Sequence, residues 1–552
     1  MLAFSQLCEA IAATTKKLEK VRLVAEFFRN TGVDDASLAA LYLCGLAFPR
    51  REERVLSIGF SLLLRAVAAV AQADQLQIAP ALRHHGDLGS GAEEILSAAT
   101  SAPSDAASMT LLEMSAVFDA LARLRGPTPK QRLLEQTLRR LSSLEGKYFI
   151  KIATGELRIG LKESLVEEGI AAAYDQPLPV VQRANMLTGD IGETLRLAAS
   201  QQLAAVRVQL FRPISAMLAS PAETAADLVA AFPNGALVEE KFDGIRAQLH
   251  KRGSNVEIYS RTLDRVTEFP ELIGPLRSVP GDFILDGEII GFRDGRALPF
   301  TELQQRLGRK QIDLFTSTRL PVAFVAFDLL LLNGDELLDL PLAERRLKLT
   351  GLLGASETPQ LQFTRANLYT TPGEIEAAFT AALAAGNEGL LAKAPESPYV
   401  PGRRGQFWQK LKRPLATLDV VVTAVEFGHG KRRGLLSDYT FAVRDNASGA
   451  ASKLVNIGKA YSGLTDVEIK EMTEHFQAHT LEDSGSRRTV EPNIVIEVAF
   501  NNVQRSKRHD SGYALRFPRI VRLRPDKPVS EIDSLDRVNE IFTRQNARPA
   551  SS

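Results

Sequence analysis

Apolar positions change their spacing twice along the chain. Over the first two hundred residues they recur every three or four places. In "TLLEMSAVFDALARLRG" Met114, Val117, Phe118, Leu121 and Leu124 fall on one helical face, Thr110 and Glu113 form a capping-box pattern, and Gly126 with Pro127 stop the run. "QLCEAIAATTKKLEKVRLVAEFF" repeats the pattern, whereas 84–110, rich in Gly, Ser and Ala, reads as loop. Near "FRPISAMLASP" (211–221) the period shortens to two, which predicts strands. Residues 245–260 read as a hairpin, with Ile245, Ala247 and Leu249 on one face, a Gly-Ser-Asn turn, and Val256 and Ile258 returning. "DFILDGEIIGF" and "PVAFVAFDLLLLNG" follow as strands, the second apolar on both faces and therefore central. After "LKRPLATL" a third pattern begins, with short strands "DVVVTAVEFG", "DYTFAVRD", "KLVNIG" and "NIVIEVAF", the spacing of a small barrel or sandwich.

Three regimes in 552 residues fit a multidomain protein, since one hydrophobic core rarely serves so long a chain. The 45% apolar and 24% charged residues suffice for packed cores and argue against a disordered class. Cys8 and Cys44 are the two cysteines and form no CxxC, so neither a disulfide framework nor a Cys-rich zinc site is available. The first residues become charged too early for a signal peptide, and no uncharged apolar run reaches the ~18 residues of a membrane span, so a cytoplasmic protein is expected. The net charge of +1 hides local asymmetry. Residues 403–413 hold five basic side chains and no acid, and 505–527 hold eight Lys/Arg against two Asp, which points to a polyanionic partner.

The candidate chemistry gathers around "EKFDGIRAQLH" (240–250). Alone, Lys241 before an Asp-Gly pair is better explained by a solvated strand edge. Charged residues on the following strands change that balance. Asp286 and Glu288 in "LDGEII" are two apart and share a face, as carboxylates holding a ribose hydroxyl or a hydrated cation would. Glu388 in "NEGLLAKAP" is expected on the face of Leu390 and Ala392, among buried residues. Trp408, Lys410 and Lys412 in "FWQKLKR" share a face, two like charges about 7 Å apart that make sense with an anion between them. A lysine amine with a reference pKa of about 10.4 becomes a nucleophile only where nearby positive charge or desolvation removes its proton, and Lys410, Lys412, Arg246 and a divalent ion could supply that field. The same cations would neutralise a triphosphate and its leaving group, so the set describes nucleotidyl transfer. No GxxxxGK[ST] loop offers another route to ATP.

The ordered series "VEEKFDGIR", "SRTLDRVTEFPEL", "LDGEII", "FVAFDLL", "EGLLAK", "WQKLKR" and "RFPRIVRLRPDK" resembles the successive nucleotidyltransferase motifs of ATP-dependent DNA ligases. "GELRIGLKESLVEEGIAAAY" (155–174) is similar to the helical DNA-binding domain of the three-domain archaeal and eukaryotic-type enzymes. The resemblance implies an all-α DNA-binding domain over 1–208, an antiparallel α+β adenylation domain over 209–413 and a β-barrel OB-fold over 414–552, with a mobile hinge near Lys412 to Thr417. It implies that Lys241 forms a lysyl-AMP, that Glu239 and Arg246 flank the nucleotide, and that Arg261 lies near the ribose and the DNA 5′-phosphate. It gives Glu288 to the ribose or a metal, Glu388 to a metal, Phe327 to the adenine face, and Arg404, Lys410 and Lys412 to phosphates. Arg524, Asp526 and Lys527 are expected to reach the pyrophosphate of ATP. ATP as co-substrate, Mg²⁺, nicked double-stranded DNA, a monomeric state and association with the nucleoid follow from the same resemblance. No recognisable sliding-clamp-binding peptide lies near the N-terminus, which leaves recruitment by a clamp open. RNA ligases and capping guanylyltransferases share the lysine motif, but the matched helical domain speaks against both. A DNA-binding scaffold with a dead nucleotide pocket is opposed by the joint presence of Lys241, Glu288, Lys410 and Lys412.

Overall fold

Helical spacing becomes helices from Leu2–Ala12 through Ile191–Ala199, and their apolar faces meet in one cluster that includes Phe4, Tyr42, Phe118 and Phe149. The computed structural model describes all residues except 53, 75–77, 79, 82–84, 99–108, 294, 307–319, 357, 403, 413–415, 429–431, 433, 447–452, 486 and 547–552. It forms two units, Met1–Lys412 and Arg413–Ser552. No helix among the described residues is long and apolar enough to cross a membrane.

Two local expectations are corrected. The capping box at Thr110 is present, with the Glu113 N–H donating to Thr110 Oγ1 at 3.1 Å and the Thr110 N–H donating to Glu113 Oε2 at 2.8 Å. That helix ends at Arg123, however, and Gly126 and Pro127 begin the next one rather than merely stopping the first. Gly126 adopts φ +82° as its N-cap, and Pro127 occupies the first helical position, where its missing N–H costs nothing. Within the expected loop 84–110, Leu88–Ala98 is a helix, and 99–108 lie outside the described residues. Gly89 marks close packing: a Cβ there would sit 2.5 Å from Lys151 Cγ, on the helix Ser143–Ala153.

The strands of the first unit are β1 (Leu218–Ala222), β2 (Ala236–Lys241), β3 (Ile245–Arg252), β4 (Asn255–Ser260), β5 (Phe283–Arg293), β6 (Arg296–Ala297), β7 (Val322–Leu332), β8 (Asp335–Glu336), β9 (Leu361–Phe363), β10 (Ala366–Tyr369), β11 (Gly389–Lys393) and β12 (Arg404–Lys412). One sheet runs β1-β12-β11-β2-β10 and the other β4-β3-β5-β7-β8, with β6 added beside β5 and β9 beside β7. Most pairs are antiparallel, and β1–β12 and β7–β9 are parallel. The outer face of the first sheet packs Val238, Leu390, Ala392 and Leu411 against Leu228 and Ile375 of two helices. The outer face of the second packs Leu249, Leu285 and Phe324 against Leu276 and Leu349. Between the sheets, Phe327, Ile284 and Leu330 meet Tyr399, Trp408 and Met217. The predicted hairpin is β3–β4, paired from Ala247–Ser260 to Arg252–Asn255, and the doubly apolar strand is β7, buried over almost its whole length.

In the second unit the four predicted strands are β13 (Ala416–Phe427), β14 (Leu436–Asp445), β15 (Lys453–Ala460) and, after β16 (Thr480–Asp483) and β17 (Arg487–Val490), β18 (Val495–Phe500). A hairpin of β19 (Asn502–Arg505) and β20 (Tyr513–Arg516) precedes β21 (Arg519–Leu523). β13 pairs with β14, β17 and β18 along its length, so the sheet curls around Val422, Phe441, Ile457 and Val498, the OB-like arrangement expected of this end. The hinge expected at 412–417 includes 413–415, outside the described residues.

Candidate active site

Register places the lysines. Lys241 and Lys412 both lie opposite Gly389 on central strand β11, Glu239 and Lys410 lie opposite Leu391, and Leu237 and Trp408 lie opposite Lys393. Directly opposed residues share a face, so Lys241, Glu239, Lys393, Trp408, Lys410 and Lys412 all point toward the second sheet. The carboxylate of Glu388 bridges the two outer amines, Oε2 to Lys241 Nζ and Oε1 to Lys412 Nζ. Burial pushes the Glu388 carboxyl up, but the two lysines outweigh it and hold the group below its ordinary value. Its side chain does not join Leu390 and Ala392, as simple alternation had suggested. Glu388 precedes the strand, and Gly389, at φ +149°, breaks the alternation while a Cβ there would lie 2.1 Å from Leu411 O.

The second sheet supplies the facing groups. Arg246, opposite Glu288 in register, grips Asp286 through Nε and Nη2 at 3.1 and 2.7 Å and donates to Met217 O at 2.6 Å. Asp286 also accepts from the buried Tyr399 hydroxyl at 2.6 Å. The Arg246 guanidinium lies 5.2 Å from the Phe327 ring centre, and that ring meets Trp408 edge-on at 6.2 Å. Burial, reinforced by Asp286 and Glu388, raises the Glu288 carboxyl to about 7 against the pull of Lys241 and Arg246. The glycine of the Asp-Gly pair lets this sheet edge close in: a Cβ on Gly244 would stand 2.3 Å from Ile289 O and 2.8 Å from Glu288 Cγ.

The cluster therefore brings together Lys241, Glu239, Arg246, Glu288, Phe327, Glu388, Lys410 and Lys412. Arg261 is exposed, one residue beyond Ser260, which pairs with Ala247 at the same end of the sheet as Arg246. Arg404 opens β12 opposite Leu218, and its side chain lies outside the described residues. Arg524, Asp526 and Lys527 belong to the second unit. There Asp419 accepts from Arg524 at 2.9 and 3.0 Å and from Lys527 at 2.7 Å, while Asp526 takes the other edge of Arg524 at 2.8 Å. The Arg524 hydrogen bond lowers Asp526 to about 2.

Several participants carry little or no signal in the sequence pattern. Lys393, 1% exposed, ion-pairs with Glu239 and lies 4.5 Å from the Phe327 ring centre and 4.2 Å from that of Trp408. Arg346 and Thr364 hold the other Glu239 oxygen, each at 2.7 Å. Alternation could have placed Lys393 with Lys241, but nothing in periodicity predicts that Arg346 or Thr364 crosses to β2. For a divalent ion the donors here are the hard oxygens of Glu288 and Glu388. Among the described residues no three His, Cys, Asp or Glu side chains converge into a cage.

Residues 216–412 match the family described as ATP dependent DNA ligase domain, 1–171 match DNA ligase N terminus, and 432–527 match ATP dependent DNA ligase C terminal region. The chain is 50% identical to a protein named "Probable DNA ligase" from Koribacter versatilis, over 99% of this chain and 97% of that one. It is 34% identical to a "DNA ligase" from Archaeoglobus fulgidus, over 98% of each. A solved structure named "Pmar-Lig_Pre." shares the fold with a TM-score of 0.62 over 95% of this chain and 99% of that one, at 16% identity.

Proposed function

The chain belongs to the ATP-dependent DNA ligases, and from that premise we propose that it seals nicks in three steps, the first two of them through Lys241. The observation that carries this reading is the bridge of Glu388 between Lys241 and Lys412, facing Glu288 and Arg246 across the two sheets. Lys241 Nζ attacks the α-phosphorus of ATP, the bond to the β-phosphate oxygen breaks, and pyrophosphate leaves. Glu388 Oε2 is the acceptor in contact with the amine that must lose its proton, and Lys412 beside it disfavours return of a second positive charge. A 5′-phosphate oxygen at the nick then displaces Lys241 from phosphorus, and the 3′-hydroxyl displaces AMP to close the strand.

Arg246, fixed by Asp286 and lying against Phe327, offers a preorganised cation beside an aromatic face on which adenine can stack. Lys410 and Lys412 would take the phosphate charge. Mg²⁺, held through Glu288 and Glu388, would neutralise the triphosphate and the departing pyrophosphate. In this reading residues 1–208 grip duplex DNA, 209–413 carry the chemistry, and Arg524, Asp526 and Lys527 of 414–552 serve the first transfer. The nicks are those left by replication, repair and recombination. Incubation with α-labelled ATP tests the scheme. An acid-labile, lysine-linked adenylate is expected, and Lys241→Ala should remove it by about 10⁴-fold or more. An adenylate that persists in that variant defeats the proposal.

A further inference from the structure

We propose that Arg346 is a positioning residue for the first transfer, acting through Glu239 to set the strand that carries Lys241; this rests on the lysyl-AMP reading above. Arg346 lies on the helix Leu342–Leu353, which packs against the outer face of the second sheet through Leu349 and Leu353. Its guanidinium nevertheless reaches the first sheet. Nη1 donates to Glu239 Oε2 at 2.7 Å, to Thr364 Oγ1 at 3.0 Å and to Phe327 O at 3.3 Å, and Nη2 donates to Thr364 O at 2.5 Å. One planar fork thus joins three segments: β2 two residues before Lys241, β7 at the aromatic expected under adenine, and the backbone just after β9.

The neighbouring side chains show that this contact is built for position. Thr364 Oγ1 donates to the same Glu239 oxygen at 2.7 Å, and Lys393 ion-pairs with the other, so the carboxylate is held from both sides at 1% side-chain exposure. Arg345, one residue earlier, makes a comparable fork to Asp328 at 2.8 and 2.9 Å but contacts Ser397 O and Leu340 O and does not contact Glu239. Two adjacent arginines therefore divide the work. Arg345 ties β7 to the loop before β12, and Arg346 ties β7 and the residue after β9 to the nucleotide-facing strand. A lysine could keep the charge at 346 but not the simultaneous reach to Glu239 and the Thr364 carbonyl, because it lacks the rigid fork.

A double-mutant cycle distinguishes positioning from general stability. Arg346→Met should lower kcat/KM for self-adenylation by about tenfold or more, the usual scale for losing hydrogen bonds to a charged group, with a rise in the KM for ATP. Glu239→Ala alone should cost at least as much. In the Glu239→Ala background, Arg346→Met should cost less than about twofold, because its target is already gone. Losses that multiply across the two sites, or an Arg346→Met enzyme that charges normally, would overturn the inference. If Arg346→Met does not fold, the same cycle with Thr364→Val decides, since that substitution keeps the volume and removes one hydrogen bond to Glu239. A parent enzyme that forms no lysine-linked adenylate would defeat the reaction scheme, an outcome separate from either result.

Discussion

Two carboxylates in this protein each hold a pair of cations, and they do so on different terms. Glu388, in the first unit, gives one oxygen to Lys241 and the other to Lys412. Asp419, in the second, shares Arg524 and Lys527, but Arg524 has a second acid in Asp526. The first group is three charges with a surplus of one positive; the second is two cations against two anions. The first uses ammonium groups, compact charges that can exchange partners, whereas the second uses a guanidinium fork held on two edges. A surplus cationic group that still meets Glu288, raised to about 7, is a place where a polyanion lowers the energy. A balanced group must open before it can serve another ligand.

The contrast is broken most directly by removing one carboxylate at a time. Glu388→Gln leaves two amines side by side and takes away the acceptor next to Lys241, so the first transfer should slow by about a hundredfold or more, the scale of losing a preorganised charge at a reacting centre. Asp419→Asn leaves Arg524 with Asp526, and its cost should stay below about tenfold. Pyrophosphate release under single-turnover conditions reads both. Equal losses would mean that the chemistry depends on the second group no less than on the first.

How much of this could be read in advance depended on whether the partner lay on a neighbouring strand. The hairpin 245–260, the buried β7 and the shared face of Trp408, Lys410 and Lys412 follow from alternation, because register carries strand parity across a sheet. Alternation suggests an anion between Lys410 and Lys412; the structure instead sets the Glu388 side chain between Lys412 and Lys241, arriving from beyond the end of its strand. Parity failed at Glu388 itself, where Gly389 departs from ordinary strand geometry. The helix Leu88–Ala98 is not legible in the sequence because its glycines resemble loop punctuation until the helix packed against Gly89 is known. Arg346, Thr364 and Asp419 were missed for a common reason: each reaches a partner more than a hundred residues away.

A smaller effect sharpens the comparison through stability. Glu288 is pushed up to about 7 chiefly by burial. Between its unfolded value near 4.3 and about 7 the folded chain keeps a proton that the unfolded chain releases, so this group costs stability as pH rises through that window and costs most above it. Glu288→Gln removes the penalty. Its unfolding temperature should exceed the parent's at about pH 8, by the equivalent of up to about 4 kcal/mol, and the gain should vanish toward pH 4. Self-adenylation should fall in the same variant. A Glu288→Gln protein less stable than the parent at about pH 8 would mean that the carboxylate is structurally supported rather than strained.

The smallest effect has the opposite sign. Asp526 is held at about 2 by its hydrogen bond to Arg524, so its contribution is present above its unfolded value near 3.9 and is lost as pH falls through about 2. Asp526→Asn should therefore lower the unfolding temperature slightly at neutral pH, by less than Glu288→Gln raises it, and the difference from the parent should shrink on acidification from about pH 5 to pH 3. The two carboxyls thus give stability differences that move in opposite directions with pH. If Asp526→Asn instead stabilised the protein at neutral pH, Asp526 would be under strain like Glu288, and the second group would be a charged site awaiting a ligand rather than one already satisfied by its own residues.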